Sequence, residues 1–215
     1  MTARLRLFSA VAVLAALAGC KSSGDLVVDE GVGITSIRTV CPAVGVPDYT
    51  GDVTLFRGAG RNAGDIDMVA SITNVRTNCD DTGEKVFSSS TFDVQARRSD
   101  THGARTVQLP YFVTVLRGGS AVVSKRVGTV TLNFADGQER ATASSQAGAY
   151  IDRAEATLPP YFIKKITRKR RAGHDDAAID PLTLPDVRAA LTRANFEVLV
   201  GFQLSEAQLA YNATR

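Results

Sequence analysis

The densest chemistry in the sequence is Lys164, Lys165, Arg168, Lys169, Arg170 and Arg171, six cations in eight positions with no acid among them. If Tyr161 to Arg171 is helical, Phe162, Ile163 and Ile166 fall broadly on one side and much of the charge on the other. That layout suits a basic helix lying on an anionic surface: lipid head groups, glycolipid phosphates or an acidic protein. Each cation close to an anionic membrane contributes ~1 kcal/mol, and salt screens the attraction. The competing reading is a solvated helix face, neutralised by Asp175, Asp176 and Asp180, which follow closely.

Catalytic chemistry is thin. Of the two histidines, His102 sits in a polar, Gly-bearing loop and His174 lies beside Asp175. No G-x-S-x-G or H-E-x-x-H spacing occurs. His174, Asp175 and Asp176 are adjacent on a loop, and adjacent residues seldom converge on a metal. Asp65 and Asp67 point to one side of a strand, with no calcium-loop spacing after them. Gly58 to Gly64 (GAGRNAG) places its third Gly one position late for a dinucleotide loop and leads into a strand. A phosphate cradle needs amides at a helix N-terminus, so a flexible loop is expected, with no cofactor, no metal and no catalytic residue.

The N-terminus has an address. Arg4 and Arg6 precede an apolar run from Leu7 to Ala18, followed by Leu17-Ala18-Gly19-Cys20. A positive start, a short apolar core and small residues before a cleavage point form a secretory signal, and the core is too short to span a bilayer. Small residues followed at once by Cys resemble the lipobox of bacterial lipoproteins. The resemblance covers residues 1–20 alone. It implies removal of residues 1–19, acylation of Cys20, and a tether over residues 20–33. In that class an Asp after the Cys favours the inner membrane; here the residue is Lys21, so the resemblance implies the outer membrane, facing the periplasm. An ordinary secretory signal cut near Ala18 or Gly19 would instead leave Cys20 a free thiol.

With Cys20 assigned to lipid, Cys41 and Cys79 remain as an even pair in an oxidising compartment, and a disulfide between them is expected. A metal or redox pair is the rival, but there is no C-x-x-C and no His near either Cys. Of 25 Lys and Arg, Arg4 and Arg6 leave with the signal, so 23 cations face 22 acids. A nearly neutral body in that compartment argues against nucleic acid as a partner. Trp is absent and aromatics make up 7%, which weighs against a carbohydrate platform built on indole stacking.

The elements that must position these groups read as mainly β. Asp52 to Arg57 is a short strand candidate. Asp65 to Asn78 alternates, with Ile66, Met68, Ala70 and Ile72 on one face. Asp80 to Gly83 makes a turn, and Val86 to Ala96 alternates again, which predicts a hairpin. After a polar loop over Arg97 to Gly103, Thr106 to Leu116 and Ala121 to Phe134 form a second hairpin about Gly118-Gly119. Pro110 predicts an edge or a bulge in the first of these.

From about Ala147 the pattern turns helical: Ala149 to Leu158, then Pro159-Pro160 to Gly173, then Pro185 to Ala194. Phe196 to Gln203 returns to period two as a last strand, and Ser205 caps a short helix to Tyr211. Asn212-Ala213-Thr214 matches a glycosylation sequon, which a bacterial lipoprotein would not ordinarily use. Residues 34–215 are therefore expected to form an antiparallel immunoglobulin-like β-sandwich with a helical insertion at about 147–194, before the last strand. The function expected is a non-catalytic interaction or assembly accessory of the envelope, held to the membrane through its N-terminal lipid. The alternatives are a binding module for anionic lipid or glycan, and an enzyme with an unrecognised site.

Overall fold

The computed structural model describes residues 39–168 and 179–214. The chain divides into two units. Residues 1–35 and 167–179 make one, which falls almost wholly outside the described residues; residues 36–166 and 180–215 make the other and carry the two sheets. Cys20, the tether, Lys169, Arg170, Arg171 and Gly173 to Asp176 lie outside the described residues.

Eight strands form two four-stranded sheets in a sandwich-like arrangement. They are β1 (Ala43–Gly45), β2 (Asp52–Phe56), β3 (Ile66–Asp80), β4 (Lys85–Arg98), β5 (Arg105–Arg117), β6 (Ala121–Phe134), β7 (Arg140–Asp152) and β8 (Phe196–Phe202). One sheet runs β1-β8-β5-β6 and the other β2-β3-β4-β7. The expected hairpins β3–β4 and β5–β6 are present, and the last strand β8 pairs antiparallel with β5. One pairing is not antiparallel, since β1 runs parallel to β8.

Alternation explains the core. On β4, Val86, Ser88, Ser90, Phe92, Val94 and Ala96 all point inward and are buried, and Phe92, Val94 and Ala96 share one core with Leu109 and Tyr111 of β5, Leu132 of β6 and Phe202 of β8. Each large apolar side chain among them, Val86, Phe92 or Val94, contributes about 1.5–3 kcal/mol on leaving water. Residues on β8 do the same from the insertion side: Phe196, Val198 and Val200 are buried. The edge-to-face pair Phe92–Tyr111, centroids 5.1 Å apart, fills the middle of the sandwich.

That pair also accounts for the strand missed in the sequence. β7 runs to Asp152, so the insertion begins at Arg153 and not at about 147. Its inward positions are Ala141, Ala143, Ser145, Ala147, Ala149 and Ile151, small at all but the last. Phe92, paired with Ser145 in the same sheet, and Tyr111, whose hydroxyl bonds Ser145 and the Gln146 carbonyl, supply the bulk beside the middle of β7, and alanines read as helix because Ala has the highest helix propensity. The insertion then holds α1 (Arg153–Ala156), α2 (Pro160–Thr167), a 3₁₀ turn (Pro181–Thr183) and α3 (Pro185–Ala194). Pro begins both α2 and α3, where its missing N–H leaves no helix bond unmade.

Two further expectations change. Pro110 lies in an inner strand, neither at an edge nor at a bulge. β8 leaves β5 at Tyr111, and the Pro110 carbonyl accepts from the Gln203 N–H at 2.9 Å, so the missing proline N–H falls where ladder pairing ends. The polar loop begins later than expected, because Arg97 and Arg98 belong to β4.

The C-terminal helix α4 (Glu206–Thr214) is capped as expected, and more fully. The Ser205 N–H donates to Gln208 Oε1 at 2.8 Å while the Gln208 N–H donates to Ser205 Oγ at 3.3 Å, a reciprocal capping box. Asn212 of the sequon is buried, and its Nδ2 donates to the carbonyls of Tyr49 and Asp52, both at 2.8 Å. Its amide therefore ties α4 to the segment leading into β2.

Candidate functional site

The Cys41–Cys79 disulfide is present, with Cα atoms 6.1 Å apart across 38 residues. A bulge in β3 makes it reachable. Thr73 pairs with Asp93 but Arg76 with Thr91, so β3 holds one residue more than β4 between these pairs. Asn74 takes a left-handed φ of 51° there, which Asn tolerates better than most residues, and its Nδ2 donates to Asp93 Oδ2 at 2.8 Å. The extra residue turns the strand over, so Cys79 shares a face with buried Ser88. From there it bonds Cys41, which enters β1 in the opposite sheet.

The basic run is only partly described. Ile166 of α2 is buried, Phe162 and Ile163 are half-buried, and Lys164 is exposed. This is the amphipathic layout expected from the spacing. Lys165 is engaged within the domain: its Nζ lies 2.7 Å from Asp186 Oδ2 at the start of α3. The hydrogen bond to Asp186 raises the Lys165 pKa, and the same bond lowers that of Asp186. The acid that makes this contact is Asp186, and Asp175 and Asp176 lie outside the described residues. Arg168 follows the end of α2 and is exposed.

The other candidates resolve into local structure. His102 is 96% exposed, and its Nδ1 lies 2.7 Å from Asp100 Oδ1, which also accepts the His102 N–H. These bonds lower the Asp100 pKa. Gly58 to Gly64 closes on itself: Arg57 Nη2 donates to the Gly64 carbonyl at 2.7 Å and Asp65 accepts the Asn62 N–H at 3.1 Å. Asp67 receives both Nη atoms of Arg105, at 2.8 and 2.6 Å, which lowers its pKa. A cleft of about 370 Å³ opens between β2 and α4, lined by Thr54, Phe56, Arg61, Asp67, Gln208 and Tyr211 among others. Among the described residues, no group of three or more His, Cys, Asp or Glu is placed to share a metal ion. No described helix is long and apolar enough to cross a membrane.

Two features escaped the sequence reading. Arg98 is 1% exposed, with its guanidinium 5.2 Å from the Phe134 ring centroid. It donates to four backbone carbonyls, those of Thr101 (2.8 Å), Gly103 (2.9 Å), Ala135 (2.8 Å) and Gln138 (2.8 Å). The loops β4–β5 and β6–β7 are thereby pinned to one another. The second is the first half of β6. Ala121–Val127 is exposed at every position, and Val122, Val123 and Val127 are 63%, 56% and 58% exposed. A signal for it exists in the sequence: alternation holds in Val130, Leu132 and Phe134, whereas the valines at 122, 123 and 127 fall on both parities.

Arg98 is thus an internal fastening, and Ala121–Val127 is an apolar surface that the described sandwich leaves open. Comparison with protein-family models, with curated proteins and with solved structures finds no match for this chain.

Proposed function

We propose that this protein is a lipid-anchored, non-catalytic module of the bacterial envelope that serves as an interaction or assembly accessory. In this reading Cys20 is acylated and the sandwich stands off the periplasmic face of the outer membrane on residues 21–33. The observation that carries the interaction role is Ala121–Val127: three exposed valines at a sheet edge, on a molecule whose other described strands expose one large apolar side chain, Tyr150. An exposed apolar strand at an edge marks an interaction site or a liability toward aggregation.

The finer fold assignment, an immunoglobulin-like sandwich, belongs to the same proposal. Two four-stranded sheets joined by a disulfide support it. The consecutive neighbours β2, β3 and β4 depart from the immunoglobulin strand order, in which the second and third strands lie in different sheets.

A second reading is binding of anionic lipid or envelope glycan through residues 161–171. The exposure of Lys164 favours it, and the engagement of Lys165 by Asp186 and the burial of Ile166 within the domain reduce it. The test of the main proposal is chemical cross-linking of the lipidated protein in its native membrane, read by mass spectrometry. A discrete protein joined through Lys125 at fixed stoichiometry is the expected result. Absence of any protein joined there overturns the interaction role and leaves the lipid reading.

A further inference from the structure

We infer that Ala121–Val127 receives an additional β-strand from a partner whose extended segment places acidic residues opposite Lys125 and Arg126 and apolar residues at the flanking positions. The inference rests on the interaction role proposed above and specifies its chemistry.

β6 is the outermost described strand of its sheet, so among the described residues one of its long sides has no strand hydrogen-bonded to it. β7 is also outermost, but alternates strictly and turns mainly polar or small residues to solvent, with Tyr150 the exception. The two edges therefore differ in what they offer.

A bulge arranges the β6 edge. Val115 pairs with Ser124 but Leu116 with Val122, leaving Val123 as the extra residue. Because of it, Val122, Lys125 and Val127 pair with Leu116, Thr114 and Phe112 and so share the outer face, although their numbers differ in parity. Lys125 lies over the Phe112 ring, 4.9 Å from its centroid. The result is an apolar strip with a cation in its middle, and Arg126 is exposed on the opposite face.

An incoming strand gains main-chain hydrogen bonds from the open edge and specificity from alternate side chains. Opposite charges directly across a pair of strands are stabilising, and like charges are destabilising. Two adjacent cations therefore select two adjacent acids. A second copy is a poorer occupant. The antiparallel register that pairs all seven residues sets Lys125 diagonally against its own mate.

The test uses the full chain and a synthetic strand, Val-Glu-Glu-Thr-Val-Val, which sets Val opposite Val127 and Glu opposite Arg126 and Lys125 when antiparallel. Amide exchange is followed by NMR. At ten times its dissociation constant the peptide leaves about a tenth of the protein free. Exchange in Ala121–Val127 is therefore expected to slow about tenfold, while β7 is unaffected. The double variant Lys125→Glu, Arg126→Glu loses this protection toward the Glu peptide and regains it toward a Lys counterpart. Both substitutions are on exposed residues, and an unchanged circular dichroism spectrum confirms the fold. No protection at millimolar peptide overturns the inference and makes the charges and bulge a guard against pairing. Protection indifferent to the charge swap, or concentration-dependent dimers without peptide, overturns the acidic partner. A membrane partner cross-linked through Lys125 alongside failure of the peptide sinks strand addition alone; absence of that partner sinks the interaction role itself.

Discussion

Asp67 and Arg105 clasp one another across the sandwich, with Arg105 Nη1 and Nη2 2.8 and 2.6 Å from the two carboxylate oxygens. Asp67 is the second residue of β3 and Arg105 the first of β5, in the opposite sheet. At the far end of β3, Cys79 is bonded to Cys41 at the entry to β1, again in the opposite sheet. One strand is thus fastened across the sandwich at both ends, once by charge and once covalently.

The charged fastening is sensitive to acid. The hydrogen bond to Arg105 holds the Asp67 carboxyl below its ordinary 3.8, ahead of the opposing effect of burial. A carboxyl depressed in the folded state contributes stability that is full above its unfolded value and is lost as pH falls through the folded one. Since Arg105 is 37% exposed, solvent screens the pair. Arg105→Gln is therefore expected to lower stability at pH 7 by about 1 kcal/mol. Urea unfolding followed from pH 7 to pH 2 should show this deficit shrinking below about pH 4, the carboxylate range. A deficit that stays constant to pH 2 would show that Arg105 acts through packing.

The covalent fastening closes a loop of 38 residues, worth about 4 kcal/mol by the chain-entropy relation. The double variant Cys41→Ser, Cys79→Ser should unfold at lower denaturant by that amount or somewhat less. Alkylation of the unreduced protein should leave both cysteines unlabelled. Labelling of both in native protein would refute the bond.

How far the fold could be read from the sequence depended on how each strand divides its faces. β4 was legible because Val86, Phe92, Val94 and Ala96 keep one parity and one face is buried throughout. β7 was not, since most of its buried face is alanine and the bulk beside its middle sits on Phe92 and Tyr111. The cysteine pairing was expected from the even count left once Cys20 was set aside and from the oxidising compartment that the lipobox resemblance of residues 1–20 implies. The bulge at Asn74 that turns Cys79 inward has no signature in the residues around it. Arg98 was taken for loop because a charge at the end of a strand reads as solvated, and only the four carbonyls gathered around it show otherwise. The edge at Ala121–Val127 was read as an ordinary partner strand, although its valines keep no parity.

Arg98 yields the largest stability effect expected of a single charged residue here. Its guanidinium satisfies the carbonyls of Thr101, Gly103, Ala135 and Gln138 from within the fold. Arg98→Met keeps the volume and removes every donor, stranding those acceptors at about 1–3 kcal/mol for each that water fails to reach. A loss of at least about 3 kcal/mol is expected from denaturant unfolding. Arg98→Lys, with a compact ammonium in place of the planar fork, should fall between the two. Equal stability of the Met variant and the wild type would show that water replaces the arginine, and that the two loops are held together by other contacts.

The basic run separates the two functional readings. Lys165 is already paired with Asp186, so its charge is partly neutralised before any surface is met. Any attraction to anionic membranes must then come from Lys164 and from the arginines beyond it. Reversing Arg168, Arg170 and Arg171 to Glu should weaken sedimentation with anionic vesicles by about a hundredfold at low salt, at ~1 kcal/mol for each cation near the surface. The difference should vanish once the Debye length falls to about 3 Å near 1 M salt. Lys165→Ala should have a smaller effect than Lys164→Ala, because only Lys164 is exposed and without an ion pair among those identified in the described residues. Identical partitioning of wild type and the triple variant at low salt would remove lipid as the ligand. The run would then be a solvated face, and the exposed strand Ala121–Val127 would stand as the surface through which the protein meets its partners.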